Sequence, residues 1–369
     1  MTTTRSRVST SPTLRAFGTK SATWRVCSNA PCVPGLALAT LMMVLPARGA
    51  AGQESDSGGL GEAALPSATS SLDEAEHSQT STLSWQRSGD LPRPLAGHAV
   101  GFSHGVLIVA GGTDFPTPLF EGGSKVWFDS VYALEPAATE WRARHRLPHP
   151  LAYAATATMG NRMLVVGGSD QARHYADAFT LEWIGGKITQ RALPPFPSPI
   201  AMAGAAVIGQ TLFVVGGQRQ PDDTEALASG WALDLSSPAP AWRALPPVPG
   251  PGRILPVVTA QQGRLHVISG AALRRAPSGK ATRRYLSDAY SWTPDEGWQR
   301  LADVPRPVVA APAAPFGQSH ILVFGGDDGT HASRVEELKD RHPGFSRDVL
   351  AYHTITDTWT TFGTMRAVW

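Results

Sequence analysis

The chain has 369 residues, a formal net charge of +2 and only 17% charged residues, and no Lys/Arg cluster is read on any one segment of its core, which argues against a nucleic-acid partner. Its 37 glycines and 31 prolines suit many short strands joined by turns and exclude an architecture of long charged helices. Length alone would allow two or three average domains.

Residues 1–52 carry Arg5, Arg7, Arg15, Lys20, Arg25 and Arg48 and no acidic residue. An uncharged, mostly apolar run from Val33 to Leu45 follows, then the small residues Ala47, Gly49, Ala50 and Ala51. A basic region, a short apolar region and a small-residue cleavage site read as a secretory leader, and the run is short for a membrane span. The expectation is therefore a secreted or periplasmic protein with no membrane span after cleavage. Residues 53–82 are rich in Ser, Ala, Gly and acidic residues and contain no Lys or Arg, which reads as a disordered linker. Cys27 and Cys32 both precede the apolar run, so the mature chain is expected to contain neither a disulfide framework nor a thiolate.

Residues 83–369 are organised by an internal repeat. Five apolar strands end in Gly-Gly or a one-residue variant: VLIVAGG, MLVVGG, TLFVVGG, LHVISG and ILVFGG. Their last glycines, Gly112, Gly168, Gly217, Gly270 and Gly326, stand 56, 49, 53 and 56 residues apart, close to the period of the kelch repeat. After each pair come a variable loop, an aromatic strand (VYALEP, AFTLEW, GWALDL, AYSWTP, LAYHTI) and a further strand opening near Trp or a β-branched residue. Such a four-stranded unit is too small to cover its own apolar faces, so units must stack as blades around an axis. The paired glycines suit the end of a strand where backbone crowding and positive φ exclude a Cβ.

The strand at Trp85 matches the last strand of a blade yet precedes the first Gly-Gly. The reading is an all-β, six-bladed kelch-type propeller in which Trp85 belongs to a sixth blade. That blade's first three strands are not supplied in the ten residues after Trp359, so the sixth blade is expected to be incomplete at the C-terminus. In the loop after Gly326, His331 to His342 places Ala332, Val335 and Leu338 at helical spacing, which fits a short helix or a solvated charged loop.

Six runs then carry a family likeness: FEGGSKVWFDSVYALEP, GGSDQARHYADAFTLEW, PGPGRILPV, SDAY, GGDDG and HPGFSRDVLAYHTITDTW. In order and spacing they resemble the cyclically permuted mutarotases, kelch-repeat relatives of the sialic acid mutarotase, N-acetylneuraminate epimerase. The resemblance spans roughly Trp85 to Trp359. It implies a protein that interconverts the α and β anomers of N-acetylneuraminate, a small acidic sugar, with no metal or organic cofactor. That exchange needs a general base and acid near neutral pH and a cation for the sugar carboxylate. The family's acid/base glutamate follows the strand that is Tyr352–Trp359 here, so it is expected beyond Trp369 and the catalytic residue stays unassigned.

Substrate-binding candidates come from the loops expected after the inner strands and, for Arg253, from the opening of an inner strand. Glu121 and Lys125 match a Glu/Lys pair of the family and would bind sugar hydroxyls, or form an exposed pair of little energetic weight. Arg173 could hold the carboxylate and His174 titrates in the useful range; with Asp170 they could equally be rim charges. Arg253 matches a family arginine and would bind ligand or make a structural hydrogen bond between blades. Asp327 and Asp328 would be carboxylate donors or turn formers. The rival function is a non-catalytic carbohydrate- or protein-binding propeller. A copper radical oxidase needs a cysteine the mature chain lacks, and no paired carboxylates of the glycosidase kind stand out as a motif.

Overall fold

The computed structural model describes residues 23–27 and 83–366. The apolar run expected to belong to a leader and the segment expected to be a linker lie outside the described residues. Within them the fold is all-β: five four-stranded antiparallel sheets in chain order, each a meander. Blade one, for example, consists of Ala99–Ser103, Val106–Ala110, Ser130–Leu134 and Arg142–Arg146. The innermost strand of each later blade opens at Ala155, Ala201, Val257 or Ala313.

Period-2 alternation decides how the blades stack. In blade one Val106, Ile108 and Ala110 face blade two and meet Met163, Val165 and Leu181, while Leu107 and Val109 face the other way with Leu91, Val100, Tyr132 and Trp141. Both faces are therefore buried, which is why the central strands read as unbroken apolar runs rather than alternating ones.

The Gly pairs end the second strand of each blade rather than the innermost one, and their backbone is as crowded as expected. All ten residues at these sites have positive φ, including Ser269, which stands in the first place of the fourth pair with φ +57. A Cβ on Gly111 would lie 2.0 Å from the carbonyl oxygen of Leu151, and one on Gly167 would lie 2.1 Å from that of Ile200. The missing side chain is thus the space through which the connection to the next blade passes. The second glycine uses that proximity: Gly112 donates to Leu151 O (2.8 Å), Gly168 to Ile200 O (2.7 Å) and Gly217 to Arg253 O (2.8 Å).

Two further series tie neighbouring blades. At the outer edge the indole Nε1 of Trp141, Trp242, Trp298 and Trp359 donates to a carbonyl of the preceding repeat, at Gly89, Pro194, Pro246 and Ala302. At the inner edge Gly97, Tyr153, Leu255 and Ala310 stand just before an innermost strand and Met202 is the second residue of one, each with φ between +50 and +61. They form a main-chain collar: Tyr153 N donates to Gly97 O, Met202 N to Tyr153 O, Leu255 N to Met202 O and Ala310 N to Leu255 O, at 2.7 to 3.0 Å.

Five blades are described. The strand Ser84–Ser88 is in none of their sheets and pairs antiparallel with Thr23–Cys27, a stretch upstream of the apolar run Val33 to Leu45. Trp85 nevertheless repeats the outer-edge contact, donating to Thr364 O of blade five at 3.2 Å. Its ring packs edge-on against Phe324 at 6.3 Å, and Leu83 joins the same cluster with Phe324, Val349 and Met365. The loop after Gly326 resolves the open choice in favour of helix: 3-10 turns at Ala332–Arg334 and Lys339–Arg341 flank one α-turn at Val335–Leu338.

Candidate functional site

The collar, the Gly pairs and the long loops that follow them share one end of the propeller. This end gathers most of the candidate residues, but it does not bring them into mutual contact.

In blade one the loop after Gly112 is shaped by a two-residue ladder, Thr113–Asp114 against Val126–Trp127, and by a 3-10 turn at Leu119–Glu121. Glu121 ends that turn, exposed, and no hydrogen bond or ion pair joins it to Lys125 among the described residues. Lys125 points instead to the collar. Its Nζ donates to Tyr153 Oη at 3.1 Å and stands 5.4 Å from the Tyr153 ring and 5.6 Å from the rings of Phe115 and Trp127. Three aromatic faces hold the ammonium by their quadrupoles, and one hydrogen bond uses one of its three donors. The Trp127 indole Nε1 beside it is shielded from solvent and has no hydrogen-bond partner. This is a partly buried cation without a carboxylate, next to an unused donor.

In blade two the loop after Gly168 closes on itself. Asp170 accepts from the backbone amides of Ala172 (2.7 Å) and Arg173 (2.9 Å) and, in a very short contact, from the Tyr175 hydroxyl. Burial works to raise the Asp170 pKa, but these hydrogen bonds outweigh it and leave the carboxyl below its usual range. Burial, then the bond to Asp170, raises the Tyr175 pKa. Arg173 is exposed and lies over the Tyr175 ring at 4.9 Å, while His149 stacks on the same ring at 3.8 Å and reaches Asp177 Oδ2 at 3.0 Å. His174 is buried, with Nδ1 3.3 Å from Gln218 O of blade three, and burial pulls its imidazole below the ordinary value. It is therefore neutral at pH 7 and acts as a link between blades.

Arg253 is committed to an ion pair. Its side chain is fully buried and forms a bidentate pair with Asp288, Nη1 to Oδ1 at 2.9 Å and Nη2 to Oδ2 at 3.0 Å, with further contacts to Ser269 O, Pro249 O and Pro251 O. Asp288 immediately precedes the third strand of blade four, and related pairs recur in other blades. His149 with Asp177, Arg306 with Asp348 (3.7 Å) and Arg146 with Asp129 (2.9 Å) also set a nitrogen-bearing side chain on the aspartate where a third strand begins. Arg253 thus belongs to a repeated structural clamp. In blade five Asp327 accepts from Tyr285 Oη (2.8 Å) and Gly329 N (2.9 Å), and Asp328 turns the chain by accepting from Thr330 N (2.9 Å). A polar cavity of about 210 Å³ opens beside them, lined by Asp327, Asp328, Thr330, His331, His342 and Phe345. No group of three metal-ligating side chains occurs among the described residues.

The sequence reading missed two features of this end. One is the collar, whose five residue types differ and so leave no motif. The other is basic: the loop of blade four rises as a hairpin, Ala271–Arg275 against Ala281–Tyr285, carrying Arg274, Arg275, Lys280, Arg283 and Arg284. This corrects the expectation that no segment of the core concentrates Lys and Arg. The signal was present as two Arg pairs flanking a Pro-Ser-Gly turn.

No family model matches the chain. Among curated proteins it is similar to the N-acetylneuraminate epimerase of Yersinia pestis (strain Pestoides F), 32% identical over 129 residues that cover 30% of this chain and 32% of that protein. It is also similar to that of Pasteurella multocida (strain Pm70), 29% identical over 128 residues covering 29% of this chain and 34% of the relative. The chain thus spans about a third of the length of the curated relatives it matches. Among solved structures it resembles that of YjhT with a TM-score of 0.63 at 15% identity, over 77% of this chain and 88% of that one, a likeness of fold.

Proposed function

We propose that this propeller binds N-acetylneuraminate at its collar end and speeds exchange between the sugar's α and β anomers. The similarity to proteins named N-acetylneuraminate epimerase carries this reading, and the loops after the Gly pairs supply polar side chains at one end, with a cavity beside Asp327 and Asp328. In this reaction the anomeric hydroxyl loses a proton, the ring oxygen gains one, the ring opens to the ketone and closes on its other face. Within it Lys125 receives the sugar carboxylate: its ammonium is held by three rings and Tyr153 and keeps donors to spare. Export through the basic and apolar leader forms part of the proposal.

The second reading is a binding propeller without catalysis. It is favoured by the wiring of the rim, where Asp170 is held by the amides of Ala172 and Arg173 and the Tyr175 hydroxyl, and His174 is buried against Gln218 O, so that both are engaged within the protein.

Time-resolved NMR of freshly released α-N-acetylneuraminate separates the two. The expected result is faster approach to the β anomer with the chain than in buffer. Binding without acceleration supports the second reading, and neither binding nor acceleration overturns both. Lys125→Met is expected to weaken sugar binding about tenfold, the scale of one charge-assisted hydrogen bond.

A further inference from the structure

The blade-four hairpin carries five cations, and no acidic residue occurs from Ala271 to Tyr285. All five are exposed, and none enters an ion pair among the described residues, whereas Arg144, Arg146, Arg253, Arg264 and Arg300 each hold a carboxylate. With a whole-chain formal charge of only +2, this is a local field rather than a general excess. The cross-strand register spreads it: Arg274 faces Thr282, Arg275 faces Ala281, Arg283 faces Leu273 and Arg284 faces Ala272, so no two arginines stand directly opposite. Each face of the ribbon therefore presents two guanidinium forks.

The root of the ribbon is fixed at the collar. Leu273 and Tyr285 pack in one cluster with Met202 and Leu255. Tyr285 also donates to Asp327 of blade five, and its ring lies where a Cβ on Gly329 would meet it at 2.6 Å. The cations thus stand on a braced arm that begins beside the mouth.

We infer that this hairpin is a docking arm for an acidic glycan chain, gripping successive sugar carboxylates while the chain end reaches the collar. Four of the five cations are arginines, whose planar forks match carboxylates bidentately. The inference rests on the reading that the collar end takes an acidic sugar, and extends it from one sugar to a polymer of them.

The test compares the full chain with a variant carrying Arg274→Gln, Arg275→Gln, Arg283→Gln and Arg284→Gln. The probe is a linear N-acetylneuraminate oligomer, followed by fluorescence anisotropy at low and physiological salt, with neutral dextran and a DNA strand of matched charge as comparisons. The arm predicts oligomer binding that the variant weakens at least about tenfold, about 1.4 kcal/mol, with a shallower salt dependence. Affinity for the free monosaccharide and the melting curve stay unchanged. Equal oligomer binding by the variant overturns the arm. DNA bound as tightly as the oligomer overturns the glycan assignment and leaves a general polyanion surface. Absence of anomer exchange in both proteins, with arm-dependent binding intact, would overturn the mutarotase reading and leave the arm standing.

Discussion

Ser269 occupies a position where four other blades carry glycine, in a left-handed conformation that strains a residue with a Cβ by on the order of 1 kcal/mol. Its hydroxyl compensates, donating to Leu286 O at 2.7 Å and accepting from Val308 N at 2.9 Å. Ser269→Ala keeps the strain and loses both bonds, so a shift of the urea midpoint corresponding to about 2 kcal/mol of lost stability is expected. Gly111→Ala is expected to cost more, about 3 kcal/mol or above, because its methyl would stand 2.0 Å from the Leu151 carbonyl oxygen with no flexible neighbour to yield. Two buried histidines set an acid limit. Desolvation lowers the pKa of both His98 and His266 from 6.5 to about 4. The unfolded chain therefore binds protons that the folded one refuses, and their stabilisation, full above pH 6.5, is lost as pH falls toward 4. Each ring can account for about 3 kcal/mol across that window. Urea melts at pH 7 and pH 4.5 should show the loss, and His98→Leu with His266→Leu should flatten it; an unchanged slope would refute the assignment. The glycines were legible because at Gly111, Gly167, Gly216 and Gly325 a carbonyl oxygen leaves no room for a Cβ, whereas collar positions hold Gly, Tyr, Met, Leu and Ala at similar φ and advertise nothing.

At the level of elements, the strands announced themselves through apolar runs and the Trp at or beside the start of the outer strand in four of the five blades. The clamps did not, since Arg253 and Asp288 are 35 residues apart and their pairing depends on how the connection passes the third strand. A buried cation with a family match reads from sequence as a ligand contact, and only its burial and its partner distinguish a staple. Asp288→Ala should cost about 3 to 5 kcal/mol by leaving the Arg253 guanidinium buried and unpaired. Adding Arg253→Met to Asp288→Ala should recover part of that loss, whereas an unchanged midpoint for Asp288→Ala would exclude the clamp. The hairpin of blade four was legible in its Arg-Arg pairs, but a net charge summed over the whole chain conceals a field confined to fifteen residues, Ala271 to Tyr285.

For the whole molecule, the repeat period yielded the propeller and the blade order, and Trp85 was placed from sequence as an outer-strand tryptophan ahead of its blade. The structure gives it the matching bond, onto Thr364 of blade five. Trp85→Phe should keep the packing on Phe324 and lose about 1 kcal/mol with the indole donor, while Trp85→Ala should cost about 3 kcal/mol. Hydrogen exchange at the amides of Thr358–Thr364 should quicken in the same order if Trp85 latches that edge. The collar has a mechanical meaning as well. Each of its links joins one blade to the next in series, so a load applied along the chain meets the blades one after another instead of all at once. Pulled from its ends in an optical trap, the molecule should shed blades singly, each releasing a length of chain set by the 49 to 56 residue repeat, about 170 to 200 Å.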